Sequence, residues 1–325
     1  KNFYRHGCRI YIKLDEKFEK YFLMIIEDIK KSALSIDGEI FFDQSLKNLN
    51  WFNIGGKTKI FFKPNSLKAL ISYLKLYASR GKIFILGNGS NVLFDDNTYQ
   101  GTVVKLGKSF SNITLLDKEI VVAGTAASQK KVSEFAKDNN ISGLEFMSCI
   151  PGSIGGGIRM NSGCFKKEFK DILISIQLVD FKGVVRSIPA NKINFNYRSI
   201  VLPKDLIFLS ATFKGTEKKS MEINTYMHEL NKKKKLSQPT KIKTGGSTFK
   251  NPINQTEKKV WELIKSSIPE DISFGDASIS KKHANFFVNK KNAKSKDMKS
   301  LIRFVKKKVE EKTGIKLELE IVVVE

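Results

Sequence analysis

Five short stretches of this chain combine residue types that could cradle an anion, hold a carboxylate or move a proton. The first is Gly87-Asn88-Gly89-Ser90-Asn91, directly after the apolar, β-prone Ile83–Leu86. Glycine lets a backbone turn tightly and approach a ligand with no Cβ in the way. Successive N–H groups in such a turn form a concave anion site, and Ser90 and Asn91 add side-chain donors. The spacing is not G-x-G-x-x-G and no helical pattern follows, so this is not a Rossmann fingerprint. A plain glycine turn accounts for the same residues equally well.

The second stretch is Ile150-Pro151-Gly152-Ser153-Ile154-Gly155-Gly156-Gly157, followed by Asn161-Ser162-Gly163. A surface linker would be rich in serine and charge. Here Ile150, Ile154, Ile158 and Met160 are interleaved, so the segment is buried or lies against something flat and large. Two such loops suit one extended ligand with a diphosphate and a ring system; tight interior turns are the alternative. The third is Asn196-Tyr197-Arg198-Ser199, after the alternating Ile193 and Phe195. Arginine is always ionised and presents a planar fork to a carboxylate, although a surface arginine fits the pattern as well.

The fourth is Thr244-Gly245-Gly246-Ser247-Thr248-Phe249-Lys250-Asn251-Pro252. Two glycines could expose the Ser247 hydroxyl on a turn. No His–Asp pair is evident to activate it as a nucleophile, so donation of a proton or hydrogen bond is the chemistry to expect, against a plain turn serine. The fifth is Glu318 and Glu320. Both fall on the polar side of an alternating segment, and spacing does not choose between them or exclude two solvated glutamates.

Composition narrows the partners. The chain has 325 residues, 41% hydrophobic and 10% aromatic, which fits two or three globular domains. No apolar run approaches the ~20 residues that span a bilayer, and no export signal is visible, so the cytoplasm is the expected compartment. The three cysteines (Cys8, Cys149, Cys164) form no C-x-x-C pair, and the three histidines (His6, His228, His283) lack ligand spacing. No structural metal is expected. The net charge of +24 raises nucleic-acid binding as a possibility. The lysines are spread over the whole chain alongside abundant Ile, Asn and Phe, which points to compositional bias. A basic field still favours an anionic substrate such as a nucleotide diphosphate.

These stretches need elements to hold them. Asp15–Ile36 carries Phe18, Phe22, Ile25, Ile26 and Ile29 near helical spacing. Thr58–Phe62 reads as a strand, Ser66 as the N-cap of a helix closed by Gly81, and Ile83–Leu86 as a buried strand. A second unit has the strand Ile120–Gly124 and a helix capped by Ser128. Strands are expected over 172–188 and 206–214, and a helix over 220–236 that ends in Lys232–Lys235. The last helix starts near Ser295, buries Met298, Leu301, Ile302, Val305 and Val309, and stops at Gly314. A strand over Ile315–Val324 follows. The best boundary between domains is near Gly215.

Trp51-Phe52-Asn53-Ile54-Gly55-Gly56, the Leu86–Leu93 segment, Ile150–Gly163, Asn196–Ser199, Gly245–Pro252 and Leu317–Ile321 occur in one order. That order resembles the UDP-N-acetylenolpyruvoylglucosamine reductase family over residues 45–321. The resemblance implies an α+β chain. A leader over 1–45 would precede a two-subdomain FAD-binding domain of the vanillyl-alcohol-oxidase (PCMH) type over 46–215, and a smaller α+β substrate-binding domain would fill 216–325. It implies bound FAD, with Ile54, Gly55, Gly56, Gly87, Asn88, Gly89, Ser90, Asn91, Ile150, Pro151, Gly152, Gly155, Gly156, Asn161 and Gly163 around it.

The chemistry implied is reduction of FAD by NADPH, then hydride transfer from flavin N5 to the enolpyruvyl C3 of UDP-N-acetylglucosamine enolpyruvate. The product is UDP-N-acetylmuramate, a peptidoglycan precursor. In the family's pattern Arg198 faces the substrate carboxylate, Ser247 protonates C2, and Glu320, not Glu318, is the catalytic glutamate. Lys235, Asn251 and His283 fall at substrate-binding positions. The short interval from Arg198 to Ser247 resembles the branch that lacks a tyrosine-bearing loop, and the glycine often seen beyond the catalytic glutamate is absent from Val322-Val323-Val324. No nucleic-acid or membrane partner is expected, and a monomer is. Another flavoprotein of the same fold, and a degenerate homologue, are the competing readings; neither explains Arg198, Ser247 and Glu320 occurring together.

Overall fold

In a computed structural model, the structure describes residues 36–240 and 242–325, together with 2–5, 8–11, 24, 27 and 28. The helix expected over Asp15–Ile36 therefore lies almost wholly outside the described residues; Met24, Glu27 and Asp28 are helical.

The first layer is a four-stranded sheet in the order Gly38–Ser45, Lys57–Pro64, Tyr99–Val104, Lys82–Ile85. The first pair is antiparallel and the others parallel. Gly38–Ser45 falls within the stretch expected as a leader. The helix Leu67–Tyr77 covers one face, started by Ser66, whose hydroxyl accepts the Ala69 N–H at 3.2 Å. Leu70, Tyr73, Leu74 and Tyr77 are buried from it against Ile60 and Phe62.

The second layer is antiparallel, in the order Val185–Pro189, Leu173–Asp180, Leu206–Lys214, Ile120–Gly124, Ile113–Asp117. Val179, Ile207 and Leu209 from this sheet join the core of the first layer. Its other face packs on the helix Gln129–Asp138, capped by Ser128, and on the glycine-rich segment. That segment is not all loop. Ile154–Arg159 forms a short helix whose N-cap Ser153 accepts the Gly156 N–H at 3.2 Å. Glycine lowers helix propensity, and the buried Ile154 and Ile158 supply the tertiary contact that overrides it.

The third layer is an antiparallel sheet, Thr244–Ser247, His283–Asn289, Ala277–Ser280, Ser273–Phe274. The helices Val260–Ser267 and Ser295–Thr313 pack on it. The last helix buries all five residues expected of it and stops at Gly314, which sits at φ 72°. Phe52, Ile54 and Leu93, from the first half of the chain, are buried in this core. Each such side chain contributes about 2 kcal/mol. This apolar seam holds the last third of the chain to the rest.

The strand expected over Ile315–Val324 is shorter. Leu319 makes a single bridge to Phe249, the Glu320 and Ile321 N–H groups bond to Thr248 O, and only Val322–Val324 is a strand, parallel to Val92–Phe94. The chain changes partner at Glu320, from the third sheet to the segment after the first glycine loop. Alternation in sequence cannot reveal a switch of partner.

Candidate active site

The two glycine loops meet. The Ser90 hydroxyl donates to Pro151 O at 2.8 Å, and a Cβ on Gly87 would stand 2.5 Å from the Ser153 hydroxyl. The second loop is tied across the start of the helix Gln129–Asp138: Gln129 N–H donates to Gly152 O (3.0 Å) and Ile154 N–H to Ala127 O (2.9 Å). Two polar atoms at the second loop have no partner among the described residues. Gln129 Oε1 and Ser162 Oγ are buried and unbonded. An orphaned buried polar group costs about 1–3 kcal/mol, so these atoms favour a ligand that bonds them. The Cβ directions of Gly156 and Gly246 meet little or nothing: only Ser153 Oγ at 3.4 Å for the first, no atom within 4 Å for the second. Unsatisfied polar atoms beside backbone with free faces fit a large ligand with both polar and flat parts.

Other glycines expected at this ligand are also packed tightly on the side where a Cβ would stand. A Cβ on Gly89 would meet Leu49 O at 2.2 Å, and one on Gly56 would meet Asp96 O at 2.3 Å. Gly55 adopts φ 139°, with Phe94 Cβ only 2.7 Å from its Cβ direction. Ile54 is buried, and its carbonyl is held by Asn50 Nδ2 at 2.8 Å.

Arg198 sits in the turn between the strands Asn194–Asn196 and Ser199–Val201, at φ 57°. For a non-glycine residue that conformation costs about 1–3 kcal/mol. Its side chain offsets the strain. Nε donates to Glu320 Oε1 at 3.1 Å, Nη2 to Gly163 O at 2.9 Å, and Nη1 lies 3.5 Å from Glu168 Oε1. Hydrogen bonds made by a charged group contribute about 1.5–3 kcal/mol each. The Tyr197 ring lies under the guanidinium, 4.9 Å from its carbon. Asn161 clamps the same turn. Fully buried, it donates through Nδ2 to Asn196 O and Glu168 Oε2 (both 3.1 Å) and accepts the Lys170 N–H. Its side chain is thus committed to positioning Arg198 and Glu168. Glu168, Tyr197 and the role of Asn161 were not legible from sequence; only the adjacency of Tyr197 to Arg198 offered a signal.

Glu320 arrives from the far end of the chain. Its backbone N–H bonds to Thr248 O (2.9 Å) and its carbonyl accepts Asn91 Nδ2 (3.0 Å), while Asn91 O accepts the Val322 N–H. The first glycine loop and the third sheet therefore aim this carboxylate together. Burial pushes its pKa up, against the opposing pull of Arg198 and Lys250. Glu318 is the exposed member of the pair, with a side chain 75% accessible. The geometry separates what spacing left open: Glu320 meets Arg198 and Glu318 faces solvent.

Ser247 ends the strand Thr244–Ser247, next to the Thr248 carbonyl that holds Glu320. An irregularity between Thr244 and Ser247, with Gly246 at φ 80°, shifts the register just before Ser247 pairs with Phe286. Its hydroxyl makes no hydrogen bond among the described residues, and it is half-buried. Asn251 donates to the Tyr197 hydroxyl at 3.2 Å, and its Oδ1 accepts the N–H of Val260 at the next helix start. His283 begins its strand packed on Phe286 (4.8 Å between ring centres) and beside Trp261 (6.4 Å). Burial lowers its pKa. Lys235 is exposed on the helix Ser220–Ser237, whereas its neighbour Lys234 turns inward and donates to Cys149 O, just before the second glycine loop. Lys234 is therefore the inward member of the lysine run.

A curated UDP-N-acetylenolpyruvoylglucosamine reductase from Pelagibacter ubique (strain HTCC1062) is 59% identical over 298 residues, 92% of this chain and 99% of that protein. This chain belongs to the UDP-N-acetylenolpyruvoylglucosamine reductase family. A reductase of the same name from Rickettsia bellii (strain RML369-C) is 42% identical over 88% of this chain and 94% of its own. The crystal structure of the Thermus caldophilus UDP-N-acetylenolpyruvylglucosamine reductase matches with a TM-score of 0.75 at 28% identity, covering 89% of this chain and 99% of that one. The family model for the reductase C-terminal domain matches residues 238–324, and that for an FAD binding domain matches 58–188. The reductase family's fold is thus the α+β fold expected, an FAD-binding domain followed by a C-terminal domain. Both glycine loops fall in the FAD-binding match, and Ser247, Asn251, His283 and Glu320 in the C-terminal match. Arg198 lies between the two.

Proposed function

We propose that this chain catalyses the NADPH-dependent reduction of UDP-N-acetylglucosamine enolpyruvate to UDP-N-acetylmuramate, with FAD as its bound cofactor. The observation that carries the reading is the 3.1 Å contact of Arg198 with Glu320, made one residue from Ser247 along the Thr248 pairing. The cofactor's cradle is the facing pair of glycine loops, with Asn88 and Ser90 on one side and Gly152, Gly155 and Gly156 on the other. Gln129 and Ser162 supply buried polar atoms to it. FAD, when bound, takes hydride from NADPH and supplies it to the enolpyruvyl C3.

The protein's part is to bind, polarise and protonate. Hydride addition at C3 leaves an electron pair at C2, delocalised into the substrate carboxylate. The fixed cation of Arg198, already oriented by Gly163 and Glu168, stabilises that charge without reorganising. An ionised Glu320 would neutralise Arg198 and repel the carboxylate. Its raised pKa favours the neutral acid, which donates a hydrogen bond instead. Ser247 gives its proton to C2. A hydroxyl is a weak acid, but the C2 carbanion is a strong base, so the transfer runs downhill. Asn251 and His283 line the adjoining face toward the sugar nucleotide, with Lys234 or Lys235 offering charge to its diphosphate. The short Arg198–Ser247 interval supports membership of the branch without the tyrosine-bearing loop.

The test is to purify the protein, record its visible spectrum, and follow NADPH oxidation with and without UDP-N-acetylglucosamine enolpyruvate. A flavin spectrum and enolpyruvate-dependent oxidation are expected. A colourless protein, or oxidation indifferent to the enolpyruvate, would remove the assignment.

A further inference from the structure

Two cysteines that the mechanism does not use flank the active site. Cys149 ends the 3-10 helix Glu145–Cys149 and immediately precedes the Ile150-Pro151-Gly152 loop. Cys164 sits in the small hairpin Gly163–Cys164/Lys167–Glu168, beside the carbonyl that holds Arg198. The hairpin packs on that 3-10 helix. The Cys164 thiol reaches Phe146 O at 3.3 Å, in the same 3-10 helix that ends at Cys149, which places Cys164 beside the turn that carries Cys149. Ser148 Oγ lies 3.8 Å from Cys149 Sγ, and Lys234 donates to the Cys149 carbonyl. Both cysteines are free; Cys149 is buried and Cys164 partly accessible.

We infer that Cys149 and Cys164 form a redox modification site, a thiol pair that a peroxide converts reversibly to a disulfide. A cation and a second thiol beside a cysteine are the features that mark reactive thiols, as opposed to inert buried ones. The neighbouring Cys164 thiol, aided by Ser148 and Lys234 against the opposing effect of burial, holds the Cys149 thiol below the usual thiol range, while the Cys164 thiol is pushed up. The division of labour follows. The Cys149 thiolate attacks one peroxide oxygen; the S–O bond forms, the O–O bond breaks and hydroxide leaves, so sulfur is oxidised and peroxide reduced. Cys164 then attacks the Cys149 sulfenic sulfur. The S–S bond forms, the S–O bond breaks, and the hydroxyl departs as water with the Cys164 proton. The new bond would tie the start of the second glycine loop to the hairpin that holds Arg198.

The test uses the full-length holoenzyme carrying Cys8→Ser, so that only this pair can cross-link within a chain. It is exposed to hydrogen peroxide, alkylated under denaturing conditions and digested; Arg159 separates the two cysteines for trypsin. The expected result is a cross-linked Cys149–Cys164 peptide that disappears with dithiothreitol. In Cys164→Ser, Cys149 should stop at sulfenic acid and be captured by dimedone. Both thiols remaining alkylatable, or Cys149 passing to sulfinic acid with Cys164 still free, overturns the inference. None of these outcomes depends on which substrate the enzyme reduces.

Discussion

The glycines of this chain fall into two groups that look alike in sequence and differ in use. Gly56 and Gly89 are glycine because neighbouring backbone stands where a Cβ would be, 2.3 Å and 2.2 Å away. Gly156 and Gly246 face open space or a single hydroxyl. The first group holds the site's walls in place by close packing; the second leaves a surface for something else to occupy. Loss of a packing glycine is therefore expected to read out as loss of fold, and loss of Gly156, which has helical backbone, as loss of ligand, whereas Gly246 at φ 80° would be strained by any side chain.

The contrast is sharpest at Gly89. Gly89→Ala places a methyl on the Leu49 carbonyl at φ 67°, and it should destabilise the protein by more than about 4 kcal/mol, with a collapse in Tm and in flavin content. A near-normal melting curve would erase the distinction between the two groups. Next come the side chains that the packing glycines position. Glu320→Gln should retain flavin and fold yet lose about 10²–10³-fold in enolpyruvate reduction, the scale for one donor at a developing charge. Its pH profile is equally diagnostic. Because burial raises the Glu320 pKa, the wild type should lose turnover as pH rises through that value, above the ordinary carboxylate range. The Gln variant should be flat in the same window; a limb that survives the substitution would assign it to another group.

Asn161→Ala is expected to cost about 2 kcal/mol of stability, because it strands buried groups around Glu168 and Asn196. It should also weaken turnover through a displaced Arg198, while flavin affinity changes less. The opposite pattern, with flavin lost and Arg198 function intact, would return Asn161 to the cofactor. The smallest effect on stability belongs to Gly156→Ala, within about 0.5 kcal/mol by thermal melting, with the loss appearing in flavin affinity. A large Tm shift without loss of flavin would contradict the assignment of its open face.

Much of the frame was legible in the sequence because local rules and tertiary structure agree. Ser66 and Ser128 cap the helices they precede, and Gly314 stops the last one. What escaped depends on contacts distant in the chain. The helix over Ile154–Arg159 survives its glycines because Ile154 and Ile158 are buried beneath it. The final strand breaks at Glu320 because its backbone is shared between Thr248 and the Asn91–Val92 segment. That break is also what points Glu320 at Arg198, so the least regular part of the segment is the functional part. The residues missed, Glu168 and Tyr197, act through Arg198 and carry no motif of their own. Asn161 sits within a recognisable motif, but its buried side chain answers to protein partners.

The central claim is that Ser247 delivers the proton while Arg198 and Glu320 manage the charge. It is tested most directly by Ser247→Ala studied one half-reaction at a time. Rapid mixing with NADPH under anaerobic conditions should bleach the flavin as in the wild type, and subsequent addition of UDP-N-acetylglucosamine enolpyruvate should leave it bleached. Reoxidation of the variant's flavin by the enolpyruvate at the wild-type rate would show that the proton comes from elsewhere.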